Sequence, residues 1–401
     1  MLDLAKLHIQ TTPTLVLVRE TLERNLDLMQ GMCNAAGVRL RPHGKMHKCS
    51  ALAKLQMSKG AVGVCAQTLG EAEAFAGAGV RDILVTSPLS LKDTQRIVTL
   101  ANASRVACVV DDPLQVAALG AVAVSAGLVL DLLVDIDLGQ HRTGVKPGEV
   151  ERLAKLISAT AGTRFVGIQG YVGHLQHVGA WAARLIANSK ATATLGEIIG
   201  QLRSVDLAPH VVTGGGTGTH ASDLASGVFT EIQAGSYAVM DVEYASCDAP
   251  GGRAHWPFSA ALFVATSVVS ARHKTHLVID AGLKALSTDG PVARVIAGAP
   301  AGSIWRAMGD EHGAIFLPWV VAAATAGGQD PALWLSSRSI DVDPPGLDGG
   351  PRLGDTVWLQ PGHCDPTINL YDAFLVLERD GSWTHWPIDA RRKHPVSETD
   401  R

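Results

Sequence analysis

The sequence predicts an α/β protein: a (β/α)8 TIM-type barrel followed by a mainly antiparallel β-domain. Three observations predict it. Short β-branched runs alternate with Ala/Leu/Glu-rich stretches of helical length up to about residue 250. Eight such strand candidates succeed one another there. From about Trp256 onward, strands follow strands with few helices between them. Short apolar runs alternating with helix-length segments mark parallel βαβ units. Eight in succession fit a closed barrel better than an open doubly wound sheet, which stands as the alternative.

The strand candidates are Val38–Lys45, Gly63–Thr68, Asp82–Thr86, Arg105–Asp111, Asp131–Leu138, Phe165–Tyr171, His210–Thr213 and Glu231–Tyr237. Helices are expected over Arg19–Ala35, Leu69–Ala78, Leu91–Ala101, Asp112–Ala126, Gly148–Ala161 and Ala180–Ser204. The texture changes at Ala249-Pro250-Gly251-Gly252. Beyond it, strands are expected over Ala260–Ala271, Thr275–Asp280, Ser303–Met308, Ala314–Leu317, Thr356–Gln360 and Ala373–Glu378, with a hairpin turn at Arg379-Asp380-Gly381. Gly327–Pro331 and Asp341–Pro351 read as loops, and the polar stretch Arg391–Arg401 as frayed. The domain reading is an N-terminal segment (1–14) able to pair with the β-domain, a barrel over 15–250 and a β-domain over 251–401.

Composition narrows the function classes. A net charge of −4 over 401 residues argues against binding nucleic acid or an anionic membrane by bulk charge. The most apolar stretch, Val116 to Leu130, is shorter than the roughly 20 residues of a bilayer span and reads as a buried helix running into a strand. The first residues lack the basic and apolar regions of a signal peptide. The six cysteines, Cys33, Cys49, Cys65, Cys108, Cys247 and Cys364, are scattered without a CxxC pair, which suggests neither a disulfide framework nor a zinc finger. A soluble cytoplasmic protein is expected, with no nucleic-acid or membrane partner.

Chemistry in such barrels collects at the C-terminal ends of the strands. The first strand ends in Arg41-Pro42-His43-Gly44-Lys45-Met46-His47-Lys48. A lysine there, in apolar surroundings, is the residue type that becomes a Schiff-base nucleophile; read alone, a lysine at such a place is more ordinarily part of a solvated basic turn. The fifth ends in Asp137–Val145, where Arg142 offers a fork to an anionic oxygen or caps a helix. The sixth gives Tyr171, His174 and His177, a stacking ring and two candidate bases, or ordinary hydrogen-bonded loop residues. The seventh gives Gly214-Gly215-Gly216-Thr217-Gly218, whose backbone amides and hydroxyl suit a phosphate. It is neither a P-loop nor a dinucleotide fingerprint. The eighth closes with Gly235-Ser236, another small-residue turn, and phosphate sites from the last two strands are frequent in barrels. In the β-domain, His363 and Asp365 stand two apart in Pro361-Gly362-His363-Cys364-Asp365-Pro366. On an extended segment both face one way, with Cys364 opposite, and suit a divalent metal with open positions.

Together these runs resemble the D-threonine aldolase and D-serine dehydratase family of fold-type III pyridoxal-phosphate enzymes, relatives of alanine racemase with a barrel and a β-domain. The resemblance spans nearly the whole chain in the right order. It implies that Lys45 holds pyridoxal 5′-phosphate, with Arg142 at the phenolic oxygen and Tyr171 against the ring. Gln67, at the end of the second strand, then sits beside the pyridine or the substrate. Thr217, Gly235 and Ser236 hold the phosphate, with the Gly214, Gly215 and Gly216 backbone nearby. His363 and Asp365 bind the metal, and His177, or else His174, is the base for the β-hydroxyl. Asp365 stands where the dehydratases carry cysteine; this harder pair suits Mn²⁺ or Mg²⁺, with Zn²⁺ or Co²⁺ as alternatives.

The implied reaction is retro-aldol cleavage of a D-β-hydroxy-α-amino acid, D-threonine or 3-hydroxy-D-aspartate, to glycine and an aldehyde by a homodimer. A carboxylate side chain would need a cation, for which Arg306, His312 and Lys284 are candidates. Asp310-Glu311-His312-Gly313 is a further family-like run, or a polar hairpin. The alternatives are a D-serine or 3-hydroxyaspartate dehydratase, an amino-acid racemase, and a non-catalytic pyridoxal-phosphate carrier.

Overall fold

The computed structural model describes residues 3–336 and 351–392. Two compact units emerge. A barrel unit comprises 23–238, 247–258 and the chain from 387; a β-unit comprises the chain up to residue 22, 239–246 and 259–386.

The chain enters through β1 (Thr14–Val18), in the β-unit, and α1 (Arg19–Ala36). The barrel strands follow: β2 (Arg39–Leu40), β3 (Val64–Ala66), β4 (Asp82–Val85), β5 (Arg105–Val110), β6 (Leu130–Asp135), β7 (Thr163–Gly170), β8 (Val211–Gly214) and β9 (Glu231–Ile232). Their order is β2-β9-β8-β7-β6-β5-β4-β3, and every neighbouring pair is parallel. The ring closes just past β2. His43 bridges Cys65 in parallel, the Cys65 amide donates to the Pro42 carbonyl at 2.9 Å, and the Gly44 amide donates to Cys65 at 2.8 Å. Cys65, Leu84, Val109 and Leu133, from the successive strands β3 to β6, pack together in the interior, as inward-pointing side chains do in closed barrels.

Each strand that the sequence predicts is present, several of them shorter. The first was expected over Val38–Lys45; its paired residues stop at Leu40, although the Arg41 and His43 amides go on donating to the Ile232 and Ala234 carbonyls. The last was expected over Glu231–Tyr237. It ends at Ile232, before Gly235 and the 3₁₀ turn Ser236–Ala238.

Between the strands run α2 (Ser50–Ser58), α3 (Leu69–Gly77), α4 (Thr94–Ala103), α5 (Pro113–Ser125), α6 (Val150–Ala159), α7 (Trp181–Ser204) and α8 (His220–Ala225). α5 shows why such segments start and stop where they do. Asp112 caps the Leu114 amide in a capping box with Gln115, Pro113 occupies the first turn, and Gly127 follows the end at φ 67°. α2 had no expectation in the sequence.

The β-unit adds α9 (Val242–Ala245) and strands β10 (Leu262–Ser270), β11 (His276–Ile279), β12 (Arg294–Ala297), β13 (Ile304–Ala307) and β14 (Gly313–Phe316). It continues with α10 (Pro318–Ala326), α11 (Pro331–Ser336), β15 (Thr356–Gln360), α12 (Cys364–Ile368), β16 (Ala373–Leu377) and β17 (Trp383–Pro387). The sheet runs β13-β14-β11-β10-β1-β16-β17, with β15 pairing β10 and β12. β1 lies antiparallel to β10 and parallel to β16. Val16, Val18, Phe263, Ala265 and Trp358 bury one face. β12, α10 and α11 were not expected. The loop reading of Asp341–Pro351 falls, Pro351 apart, outside the described residues, as do 393–401. Among the described residues no helix is long and apolar enough to cross a membrane, and all six cysteines are free thiols in buried positions.

Candidate active site

The segment after β2 makes the closing seam of the barrel and then turns sharply, so Lys45 stands at the mouth. Gly44 permits this, because a Cβ there would lie 2.5 Å from the buried Phe75 ring. His43 is scaffold. Its Nδ1 accepts the Lys45 amide at 3.4 Å, so Nε2 carries the proton and donates to Thr86 Oγ1 at 3.0 Å. Burial holds His43 well below the ordinary imidazole value, and the positive charges of Lys45 and Arg142 add to this. The Lys45 ammonium, half-buried, has no hydrogen bond or ion pair among the described residues. Lys48, three residues on, is ion-paired with Glu71.

Behind the mouth lies a saturated polar network. Gln169 donates to the Thr86 carbonyl at 3.0 Å and to Asp135 Oδ1 at 2.9 Å; Thr143 donates to Asp135 Oδ2 at 2.8 Å. Gln233 donates to Gln169 Oε1 at 2.9 Å and to Thr213 Oγ1 at 3.0 Å. Burial pushes the Asp135 carboxyl up to about 6, against the pull of those donors. Residue-by-residue reading missed this network because its members come from different strands.

The glycine-rich turn after β8 rests on a second network. Gln176 Oε1 accepts the Gly218 amide at 2.9 Å, and Gln176 Nε2 donates to Thr219 Oγ1 at 3.0 Å. Thr219 and Asn188 both donate to Asp223, at 2.6 and 2.7 Å. The fully buried Arg184 donates to the Gly218 carbonyl at 2.9 Å. Cβ atoms at Gly216 and Gly218 would lie 2.4 and 2.0 Å from Gln176. Thr217 Oγ1 accepts the Tyr237 amide at 2.9 Å, which leaves its hydroxyl proton for another partner. The amide hydrogens of Thr217 and Gly235 meet no acceptor among the described residues.

The other expected barrel residues stand on the same strand ends. The exposed Arg142 lies over the Tyr171 ring, 5.8 Å from its centroid. Gln67 follows β3, and its amide donates to Glu71 Oε2 at 2.7 Å. Ser236 opens the 3₁₀ turn after Gly235. His177 is half-buried, and its carbonyl faces Cys247 Sγ at 3.5 Å. His174 is exposed and lines a groove of about 660 Å³ with Asp137, Leu138 and one face of α7.

In the β-unit, His363 and Asp365 do not lie on an extended segment as expected. His363 is the N-cap of α12 and Asp365 falls in its first turn, where Pro366 is tolerated. Cys364 is fully buried, with Sγ 3.4 Å from Asp365 Oδ1 rather than facing away. His363 Nδ1 meets Asp289 Oδ2 at 2.9 Å and Glu243 Oε2 at 3.9 Å. Burial alone would lower this imidazole; the Asp365 and Asp289 carboxylates outweigh it and hold it above its ordinary value. Two cations considered for a substrate carboxylate are already paired, Arg306 with Asp330 at 2.7 Å and Lys284 with Glu311 at 2.8 Å. His312 sits exposed at the β13–β14 turn.

The model of the alanine racemase N-terminal domain matches residues 18–242, and that of a putative serine dehydratase domain matches 261–377. A 3-hydroxy-D-aspartate aldolase of Paracoccus denitrificans (strain Pd 1222) is 38% identical over 391 residues, covering 95% of this chain and 92% of its own. The chain belongs to the alanine racemase-like family of D-threonine aldolases. A D-threonine aldolase of Arthrobacter sp. is 35% identical, again over 95% of this chain and 92% of its own. The crystal structure of D-threonine aldolase from Filomicrobium marinum superposes with a TM-score of 0.83 at 34% identity, over 95% of each chain. Members of this D-threonine aldolase type are aldehyde-lyases, and the fold with these relatives implies pyridoxal phosphate.

The residues present fit that group. The mouth offers an unpaired amine at Lys45, and the turns after β8 and β9 offer amides and a hydroxyl without acceptors, as an anion requires. They also fit a metal held by few protein ligands. Among the described residues no three His, Cys, Asp or Glu side chains are arranged to hold a metal ion. Yet His363 gives one ring nitrogen to a carboxylate, the arrangement that orients metal-binding imidazoles.

Proposed function

We propose that this chain is a pyridoxal-phosphate- and divalent-metal-dependent aldolase that cleaves a D-β-hydroxy-α-amino acid, D-threonine or 3-hydroxy-D-aspartate, to glycine and an aldehyde. The observation that carries the reading is the lone Lys45 ammonium at the barrel mouth, on a chain whose relatives are named for this reaction. Pyridoxal phosphate supplies an electron sink for the carbanion that Cα–Cβ cleavage leaves.

Lys45 Nζ is the attachment point. The hydroxyl of Thr217, the turn Gly235-Ser236 and the backbone of Gly214, Gly215 and Gly216 hold the phosphate. Arg142 gives its fork to the phenolic oxygen and Tyr171 its ring face, while Gln67 lines the pyridine or substrate side. His177 takes the proton of the substrate β-hydroxyl, with His174 as the second candidate; its half-buried position favours His177 over the exposed His174. His363 and Asp365 hold Mn²⁺ or Mg²⁺, with Zn²⁺ or Co²⁺ as alternatives, and the metal supplies Lewis acidity at that hydroxyl. A cytoplasmic homodimer is part of the same proposal.

One observation favours a second reading. The match to a putative serine dehydratase domain, with Cys364 beside Asp365, supports a dehydratase that expels the hydroxyl instead. Product analysis on D-threonine and 3-hydroxy-D-aspartate, with Mn²⁺ and then with EDTA, separates the two. Glycine plus an aldehyde, lost with EDTA, is expected. Ammonia plus a keto acid would establish the dehydratase, and turnover that survives EDTA would remove the metal.

A further inference from the structure

Lys45 and Lys48 lie on one turn, and both carry the primary amine that could bind an aldehyde. The Lys48 amide donates to the Gly44 carbonyl at 2.8 Å, and its carbonyl accepts the Ala390 amide at 2.9 Å. Its backbone is left-handed, at φ 49°. Its place is therefore fixed, and only its side chain chooses a partner. That partner is Glu71, whose side chain is 1% exposed against 18% for Lys48. Glu71 is held from two further directions. Its second oxygen accepts the Gln67 amide at 2.7 Å, and its own amide donates to Thr68 Oγ1 at the start of α3. A buried carboxylate so fixed demands a cation, and leaving it unpaired is costly.

We propose that Glu71 decides which lysine carries the cofactor, by committing Lys48 to an ion pair and leaving Lys45 as the free amine. This rests on the reading that Lys45 binds pyridoxal phosphate. To bind an aldehyde, a neutral Nζ adds its lone pair to the carbonyl carbon; the C=N bond forms, and the oxygen leaves as water. Lys48 Nζ is engaged by the Glu71 carboxylate, whereas Lys45 Nζ meets no such partner among the described residues. Glu71 is a specificity-determining residue that acts through Lys48.

The test is borohydride reduction of the cofactor-loaded protein, which makes the lysine–cofactor bond permanent, followed by peptide mapping. Wild type is expected to carry label at Lys45 alone, K45A to lose it altogether, and K45A/E71Q to gain it at Lys48. Label at Lys48 in K45A would overturn the inference while leaving the cofactor reading intact. A folded K45A/E71Q without label would overturn it as well. No label at either lysine in the wild type would overturn the cofactor reading and the inference with it. A measurement without substitution covers the case of a double variant that does not fold. Reductive methylation with formaldehyde of wild type stripped by hydroxylamine should modify Lys45 faster than Lys48, and equal rates would refute the assignment.

Discussion

At the residue scale, small polar contacts decide which of several similar groups does the chemistry. His363 is oriented by Asp289. In the enzyme proposed here, Asp289→Asn should weaken metal binding about 10–100-fold, as losing an outer partner of a ligating imidazole does. The visible cofactor band should stay unchanged. Metal titration of the purified variant checks this, and an unaltered affinity would show that Asp289 plays no such part. Asp135 gives a prediction in pH. Its carboxyl stands at about 6 in the fold against 3.8 ordinarily. As pH rises from about 4 to about 6 the unfolded chain gives up this proton first, so stability falls across that window by at most about 3 kcal/mol from this group and is flat above it. Asp135→Asn should flatten that slope in urea unfolding curves taken at pH 4 and pH 6. The candidate chemistry was legible at this scale as short runs, because lysine, histidine and glycine declare themselves in sequence. Their partners were not: Glu71, Asp289 and Gln233 come to their places only through strand order. Glu71 alone left a trace, since Thr68-Leu69-Gly70-Glu71 has the spacing of a capping box.

At the scale of elements, the barrel strands were readable because β-branched runs between turn residues have few other folds open to them. α7 was readable as a helix but not as a surface. Its buried face carries Arg184, Asn188 and Thr192, while Leu185 and Ile186 face solvent at 37% and 60% exposure. Arg184 and Asn188 have a use, since they hold the phosphate-type turn and its Asp223 support from beneath, and over the first half of α7 this inverts the pattern on which helix faces are read. The tight approach of β2's extension to α3 yields a prediction. Gly44→Ala puts a methyl 2.5 Å from the Phe75 ring, which is fully buried and has little room to move. It should cost about 1–3 kcal/mol, as overpacking does, and displace Lys45, so a lower melting temperature and weaker cofactor retention are expected together. A wild-type melting curve would show that the seam is loose.

Across the whole molecule, buried ion pairs and the chain ends tie distant segments. Arg41 pairs with Glu231 at 2.9 Å and with Asp82 at 2.6 Å, and Glu231 is almost wholly buried. Arg41→Met should destabilise by about 3–5 kcal/mol, because a buried carboxylate loses its main partner. Thermal unfolding checks it. Arg41 thus belongs to the motif around Lys45 for a structural reason that its neighbours in sequence do not reveal. The last described residues matter in the same way. Asp389 accepts the Ser50 amide at 2.9 Å, and the Ala390 amide holds the Lys48 carbonyl. Ending the chain at Trp386 should therefore loosen the lysine turn and reduce cofactor retention, read from the visible band after gel filtration.

The position of β1 bears on how the protein is made. Thr14 pairs with Ala265 and Val16 with Leu375, so β1 leaves the ribosome long before either of its partners. Its residues, Thr-Leu-Val-Leu-Val, are among the most apolar in the chain and buried once paired. Throughout synthesis they travel as an unsatisfied strand edge, the kind of segment that chaperones cover and that aggregates when they do not. The β-unit cannot finish its sheet until β16 has emerged, which makes the nascent chain, rather than the finished enzyme, the stage at which this fold is most exposed to failure.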